Sequence, residues 1–421
     1  MKTILHLIET ADGYGQAAML FYLTIAYLLL EFGRPQDLVP ALGSLHLPGL
    51  VIAVLVLALI LSGRVELSDK QTRLFALLLL LMALHVPLAR NNYVALQAAK
   101  YMLMTFVAYL AIATSVDTLG KFRTFITLWL GVHFLLAVHG IVKQGQGVGG
   151  FLGDENDFAM TLNMIVPFSF FLALSEANRA KKMLYMGLTG VFVLANIFSF
   201  SRGGFVGLLA VALCCWLRSP KKLRSAVVIA ALGLLVSLYA REGYWTRIQS
   251  GWEEGVSAGT GEDRLYMWKF GWKMFLDNPV IGVGQDNFPV RFGDYEGDER
   301  LDGRTRVWRA AHSLYFTLLP ELGLVGAFIF FRMLYWIRKD LAAIRGSNMA
   351  PTILPLAYAM EASLAGFLVS GVFISTLYYP NFWVTMGFVV ALRRVVTLEA
   401  SRRSAATVAS DTPTAHSPFW L

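Results

Sequence analysis

Charge is scarce in this chain of 421 residues. Asp, Glu, Lys and Arg make up 15% of it, where a water-soluble domain usually carries about a quarter. Apolar residues take 56%, more than the cores of two or three soluble domains would absorb, so a soluble enzyme and a disordered chain are both excluded. Cysteine is scarcer still. Cys214 and Cys215 stand side by side in an apolar run, where they can close no loop and suggest no metal cage, which excludes a disulfide scaffold. The N-terminus lacks a small-residue cleavage site after a short apolar core, so the first span is expected to be an uncleaved anchor.

What the chain does have is long apolar runs. In lipid a backbone must satisfy its own hydrogen bonds, so runs of roughly 17 to 25 apolar residues read as membrane helices. Such runs fall near 16–32, 47–62, 74–89, 95–116, 124–142, 158–175, 183–200, 204–217, 225–240, 313–336, 353–375 and 379–396. The expected fold is therefore an all-α polytopic integral membrane protein with about 12 transmembrane helices and one large helical periplasmic loop. Residues 1–240 would hold helices 1–9, residues 241–312 the loop, residues 313–396 helices 10–12, and residues 397–421 a disordered cytoplasmic tail.

Orientation follows from the basic residues, because positively charged loops stay on the cytoplasmic side. With the N-terminus inside, Arg64, Lys70 and Arg73, then Arg179, Lys181 and Lys182, then Arg218, Lys221, Lys222 and Arg224 all fall in cytoplasmic segments. The net charge of +8 is thus accounted for by topology, and no nucleic-acid partner is inferred from it. The loop 241–312 lies outside on this reading and carries ten basic and twelve acidic residues, close enough to balance that surface ion pairs are its ordinary interpretation. Its tryptophans, Trp245, Trp252, Trp268, Trp272 and Trp308, argue against disorder. Arg264, Trp268, Trp272 and Phe275 recur at helical spacing, and Asp277-Asn278-Pro279 stops that helix before a Gly282-Val283-Gly284 turn.

Four features can carry chemistry. His312 opens the tenth span directly after Arg300, Arg304, Arg306 and Arg309, so a base and several anion binders share one short region. An imidazole with an ordinary pKa of about 6.5 can accept a proton there, although a lone histidine at a helix start is more often a structural hydrogen-bonding group. Arg202, in Ser201-Arg202-Gly203-Gly204, sits between two apolar runs, and a charge in that setting faces either headgroups or a functional partner. Arg264 and Arg291 in the loop can pair with its acids or grip a diphosphate bidentately. Asp154, Glu155 and Asp157, after a Gly-rich turn, lack the spacing of a calcium loop, and a helix cap at Asp154 or Asn156 is the simpler account. No metal or other cofactor is expected. His133, His139, Glu321 and Glu361 read as packed polar side chains, and Phe32-Gly33-Arg34-Pro35 as turn punctuation.

These features, in this order, resemble the O-antigen ligase and polymerase superfamily: Asn156 to Ala159 as Asn-x-x-Ala before a helix, Ser201-Arg202-Gly203 at a span end, a large outer loop with Arg264 and Gly282-Val283-Gly284, and then His312-Ser313. The resemblance covers roughly residues 60–395. Phe32-Gly33-Arg34-Pro35 also resembles the ligase-like proteins associated with exosortase systems. It implies an inverting, metal-independent glycosyltransferase of the bacterial inner membrane with its active site on the periplasmic side. The donor would be a glycan such as O-antigen polysaccharide on undecaprenyl diphosphate, and in the ligases the acceptor is a sugar hydroxyl of lipid A-core. By the resemblance His312 is the general base, and Arg202, Arg264 and Arg291 hold the diphosphate. O-antigen polymerase and protein O-oligosaccharyltransferase remain open within the superfamily. A secondary transporter is the reading from another class, opposed by the missing internal repeat and by charge concentrated in a loop rather than at midplane.

Overall fold

The computed structural model describes residues 2–63, 65, 67–239, 260–297 and 309–411, and every regular element among them is helical. The longer helices are α1 (Lys2–Gly33), α2 (Leu47–Ser62), α3 (Lys70–His85), α4 (Asn92–Ser115), α5 (Leu119–Val142), α6 (Glu155–Ser175), α7 (Arg179–Phe198), α8 (Arg202–Arg218) and α9 (Lys222–Tyr239). After the loop region come α10 (Thr260–Asp277), α11 (Phe288–Glu296), α12 (Leu314–Arg345), α13 (Ala350–Ser370) and α14 (Pro380–Asp411). Their starts follow local chemistry. Asp69, Asn91, Thr118, Asp154, Asn178, Ser201 and Ser313 each accept a hydrogen bond from a first-turn N–H, satisfying a donor that the helix itself cannot.

Among the described residues eight helices are long and apolar enough to cross a membrane, so the chain is a helical polytopic membrane protein. The expected count of twelve is not reached on that measure. Segments 74–89, 183–200, 204–217 and 225–240 do fold largely as α3, α7, α8 and α9, but these are short or charged at their starts: α3 has 16 residues and begins at Lys70, and α8 has 17 with arginine at both ends. Helix α14 runs to Asp411, through much of the segment expected as a disordered tail. Its stretch Leu398–Ala406 is rich in helix formers and contains no proline. Residues 412–421 lie outside the described part.

Helix α6 is the axis of the bundle. Its spanning stretch is 83% buried, against 22% for α2, so α6 packs on protein on nearly all sides while α2 offers most of its surface to lipid. Polar side chains tie α6 to its neighbours: the Asn163 amide donates to Gly204 O (2.8 Å) and Ser370 Oγ (3.1 Å), and Asn196 donates to Ala159 O (2.9 Å) and Asn163 Oδ1 (3.0 Å). Gly204 and Gly207 let α8 approach α6 and α13 so closely that a Cβ at either would overlap Ala159 or Ser370.

The loop region enters the bundle through a break in α12. Pro320 and Gly323, the latter at φ +60°, interrupt the helix, and chain 279–284 supplies the missing partners. Val283 N donates to Pro320 O, Gly284 N to Glu321 O, Leu324 N to Pro279 O and Val325 N to Val280 O, all at 2.8–3.0 Å. A Cβ on Gly282 would strike the Glu321 backbone, which is why this turn needs glycine. Met267, Phe270, Met274, Phe288, Phe292 and Ala311 close a second, smaller core over the break. At the opposite end of the bundle Glu361 pairs with Arg218 (2.7 Å) and Arg345, and Arg393 pairs with Asp69 and with Asp340 (2.9 Å).

Candidate active site

The N-termini of α6, α8 and α12, the C-terminus of α13 and one face of α10 converge at the end of the bundle where the loop region docks. His312 immediately precedes α12. Its position is fixed on both sides, by the Trp268 indole N–H donating to Ala311 O (3.0 Å) and by Leu314 N donating to Gly371 O (2.6 Å). Trp268 also stacks on Phe316, with centroids 5.0 Å apart, which locks α10 to α12. His312 itself adopts φ +48°, a conformation L side chains rarely take and one that concentrates at functional sites.

Arg202 is the first residue of α8, whose turn is held by Ser201. That hydroxyl accepts from Gly204 N (2.9 Å) and donates to Asn156 Oδ1 (2.6 Å), and Asn156 in turn bonds Asp154. Arg264, on α10, lies over the Phe373 ring at 5.7 Å, and the same ring is 3.4 Å from where a Cβ on Gly203 would stand. One phenyl ring thus bridges the loop helix and the start of α8. The charges respond accordingly. Desolvation and then the Arg202 charge lower the Arg264 pKa, with Asp154 opposing. His312 is pushed below the ordinary imidazole range, first by desolvation, then by Arg264, with Asp154 pulling the other way and Arg309 adding to the depression. His312 is solvent-accessible, so this desolvation comes from surrounding walls rather than from enclosure. A neutral imidazole, able to accept a proton, is the favoured form at neutral pH.

Arg202, Arg264 and His312 are therefore brought together, and Arg291 makes its contacts on its own helix. Arg291, on α11, pairs with Asp294 (2.8 Å) and lies over the Tyr295 ring at 5.7 Å. Arg309 pairs with Asp263 (3.6 Å), while Arg300, Arg304 and Arg306 lie outside the described residues. Asp154, read from sequence as a helix cap, is that cap, accepting from Asn156 N at 2.8 Å. Its action on both Arg264 and His312 was not legible, since nothing in the Gly-rich turn tells which loop it will face. Among the described residues no three His, Cys, Asp or Glu side chains converge as metal ligands.

Two cavities flank this cationic corner. One, of about 230 Å³, is apolar and begins one turn along α8, lined by Phe205, Leu208 and Leu209 with Phe170, Ile197 and Leu232 from α6, α7 and α9. The other is a cleft of about 520 Å³ with both polar and apolar walls, which include Ala310 and Ala311, next to His312. Tyr101, Tyr378 and Tyr379 line it and donate their hydroxyl hydrogens to Glu31 (2.7 Å), Glu321 (2.7 Å) and Asp157 (2.9 Å). Arg34 closes one side, ion-paired with Asp37 and packed against Gly150 so tightly that a Cβ there would overlap the guanidinium. Glu321 also accepts from Asp286 N (2.8 Å) and Phe288 N (3.0 Å), so it caps α11, while Asp286 faces the cleft. His133, bonded to Trp129 O (2.8 Å), is a packed polar side chain within the bundle.

Comparison with curated proteins gives no match. A family model described as O-Antigen ligase matches residues 187–331, about a third of the chain, and this interval contains Arg202, Arg264, Arg291 and His312. With its multiple membrane-spanning helices, the chain is a polytopic membrane protein whose residues 187–331 are similar to the family described as O-Antigen ligase.

Proposed function

We propose that the protein is an inverting, metal-independent glycosyltransferase that moves a glycan from undecaprenyl diphosphate to a sugar hydroxyl of lipid A-core, on the periplasmic face of the bacterial inner membrane. The observation that carries this reading is the meeting of three groups at one rim: Arg264 lies over the Phe373 side chain that packs on Gly203, beside Arg202, and Trp268, one turn along α10, holds the backbone next to His312. Two guanidinium groups and the N–H groups of the α8 N-terminus suit a diphosphate. The apolar cavity one turn along α8 suits the prenyl chain, whose charged end then lies at the rim. Excess basic residues at the opposite end, such as Arg218, Lys221 and Lys222, support a periplasmic orientation of the site, and α3, α7, α8 and α9 would complete the twelve crossings.

In the reaction His312 takes the proton of the acceptor hydroxyl as its oxygen bonds to the anomeric carbon. The carbon–oxygen bond to the diphosphate breaks, its electron pair leaves with the prenyl diphosphate, and the anomeric centre inverts. Arg202 and Arg264 stabilise the departing charge, and Asp154 stabilises the imidazolium that forms. Purified protein incubated with a glycan-diphosphate prenyl lipid and lipid A-core in EDTA should yield a ligated product on a gel. An intact donor under those conditions, or a requirement for magnesium or manganese, overturns the reading.

A further inference from the structure

The cleft beside His312 has a chemistry unlike that of the corner it adjoins. Tyr101, Tyr378 and Tyr379 spend their hydroxyl hydrogens on Glu31, Glu321 and Asp157, so their remaining capacity is to accept. Donation to a carboxylate also polarises each phenol oxygen into a better acceptor. The Asp286 carboxylate and the Gln97 amide line the same space and make no hydrogen bond among the described residues. Among the described residues of the wall Arg34 is the one cation, and it is engaged by Asp37. A wall rich in acceptors and aromatic faces fits a ligand rich in donors, and it repels an anion.

We infer that this cleft is the acceptor subsite and that it takes an uncharged, hydroxyl-rich sugar terminus, with Asp286 and Gln97 holding the hydroxyls that align the attacking one on His312. This rests on the transferase reading above for its word "acceptor", but the binding chemistry stands without it. Asp286 and Gln97 are positioning residues. Most of the wall, including Gln97 and all three tyrosines, lies outside residues 187–331, so the family match is silent about it.

The test is a titration of the purified protein in detergent, without donor, using a neutral core-type oligosaccharide and the same oligosaccharide carrying a phosphate. The neutral form should bind, the phosphorylated form should bind no more tightly, and Asp286→Asn and Gln97→Ala should each weaken the neutral form about tenfold, as expected for a lost hydrogen bond. Asp286→Asn leaves the backbone N–H that donates to Glu321 in place, so it tests the carboxylate rather than folding. In transfer assays the same variants should raise KM for the acceptor and leave KM for the donor unchanged. Unaltered oligosaccharide affinity in both variants, preference for the phosphorylated form, or no binding of the neutral form each overturns the inference. Oligosaccharide binding without any transfer by the wild-type protein would instead defeat the transferase reading and leave the subsite standing.

Discussion

The cationic corner and the tyrosine-ringed cleft share a border at Ala311 and His312 yet are built on opposite principles. In the corner, cations are set near one another in a desolvated setting: desolvation first, and the Arg202 charge second, lower the Arg264 pKa, and a bound anion would relieve both. In the cleft, each tyrosine hydroxyl is already matched to a carboxyl group, and the phenol oxygens are left to accept. Such a contrast separates two ligands of different charge on either side of one base. It is what a transfer between a charged leaving group and a neutral nucleophile requires.

The largest effect expected is from His312→Ala, which should lower turnover by roughly 10² to 10⁴, the range for losing a general base, with donor binding retained. Near-normal turnover would remove His312 from the mechanism and dissolve the border between the two regions. Next comes the corner itself. Arg202→Ala and Arg264→Ala should each cost on the order of 10² in kcat/KM, by analogy with loss of one stabilising donor at a developing charge. Lysine should rescue poorly, because it keeps the charge and loses the fork.

How far these regions were legible in sequence follows the same division. Charge in an apolar chain announces itself, so Arg202 and His312 stood out from local context, as did the helix stop at Asp277 and the Gly282-Val283-Gly284 turn, whereas Arg264 is one of ten basic residues in a charged loop and was singled out by the resemblance. The cleft could not be read that way. Its tyrosines come from α4 and the approach to α14, and Arg34 looked like turn punctuation until its guanidinium was seen against Gly150. A neutral hydrogen-bonding surface has no sequence signature, because each tyrosine's role depends on which buried carboxylate it meets. Among the described residues eight of the twelve expected crossings meet the length-and-composition measure, for a related reason. Hydropathy windows register apolar content, whereas α3 and α8 begin at Lys70 and Arg202 and are too short to satisfy that measure.

A pH profile sharpens the comparison further. Since desolvation and then the Arg264 charge lower the His312 pKa, the acidic limb of kcat/KM should fall below the ordinary imidazole pKa of about 6.5 in the wild type and move to higher pH in Arg264→Gln. A shift to lower pH, or none, would mean that the two groups are not coupled. The smallest effect should come from Arg291→Ala. Its guanidinium is held by Asp294 and Tyr295 on its own helix, so activity should stay within a few-fold of wild type, as for an exposed ion pair. A loss matching that of Arg264→Ala would bring Arg291 into the diphosphate site.

Equilibrium binding of a prenyl-diphosphate-linked glycan to three purified variants tests the central claim most directly. His312→Ala should bind the donor as the wild type does, while Arg202→Ala and Arg264→Ala should bind it at least tenfold more weakly, because the corner holds the diphosphate and the imidazole serves the acceptor. Donor affinity lost with His312, or kept when both arginines are removed together, would contradict the account.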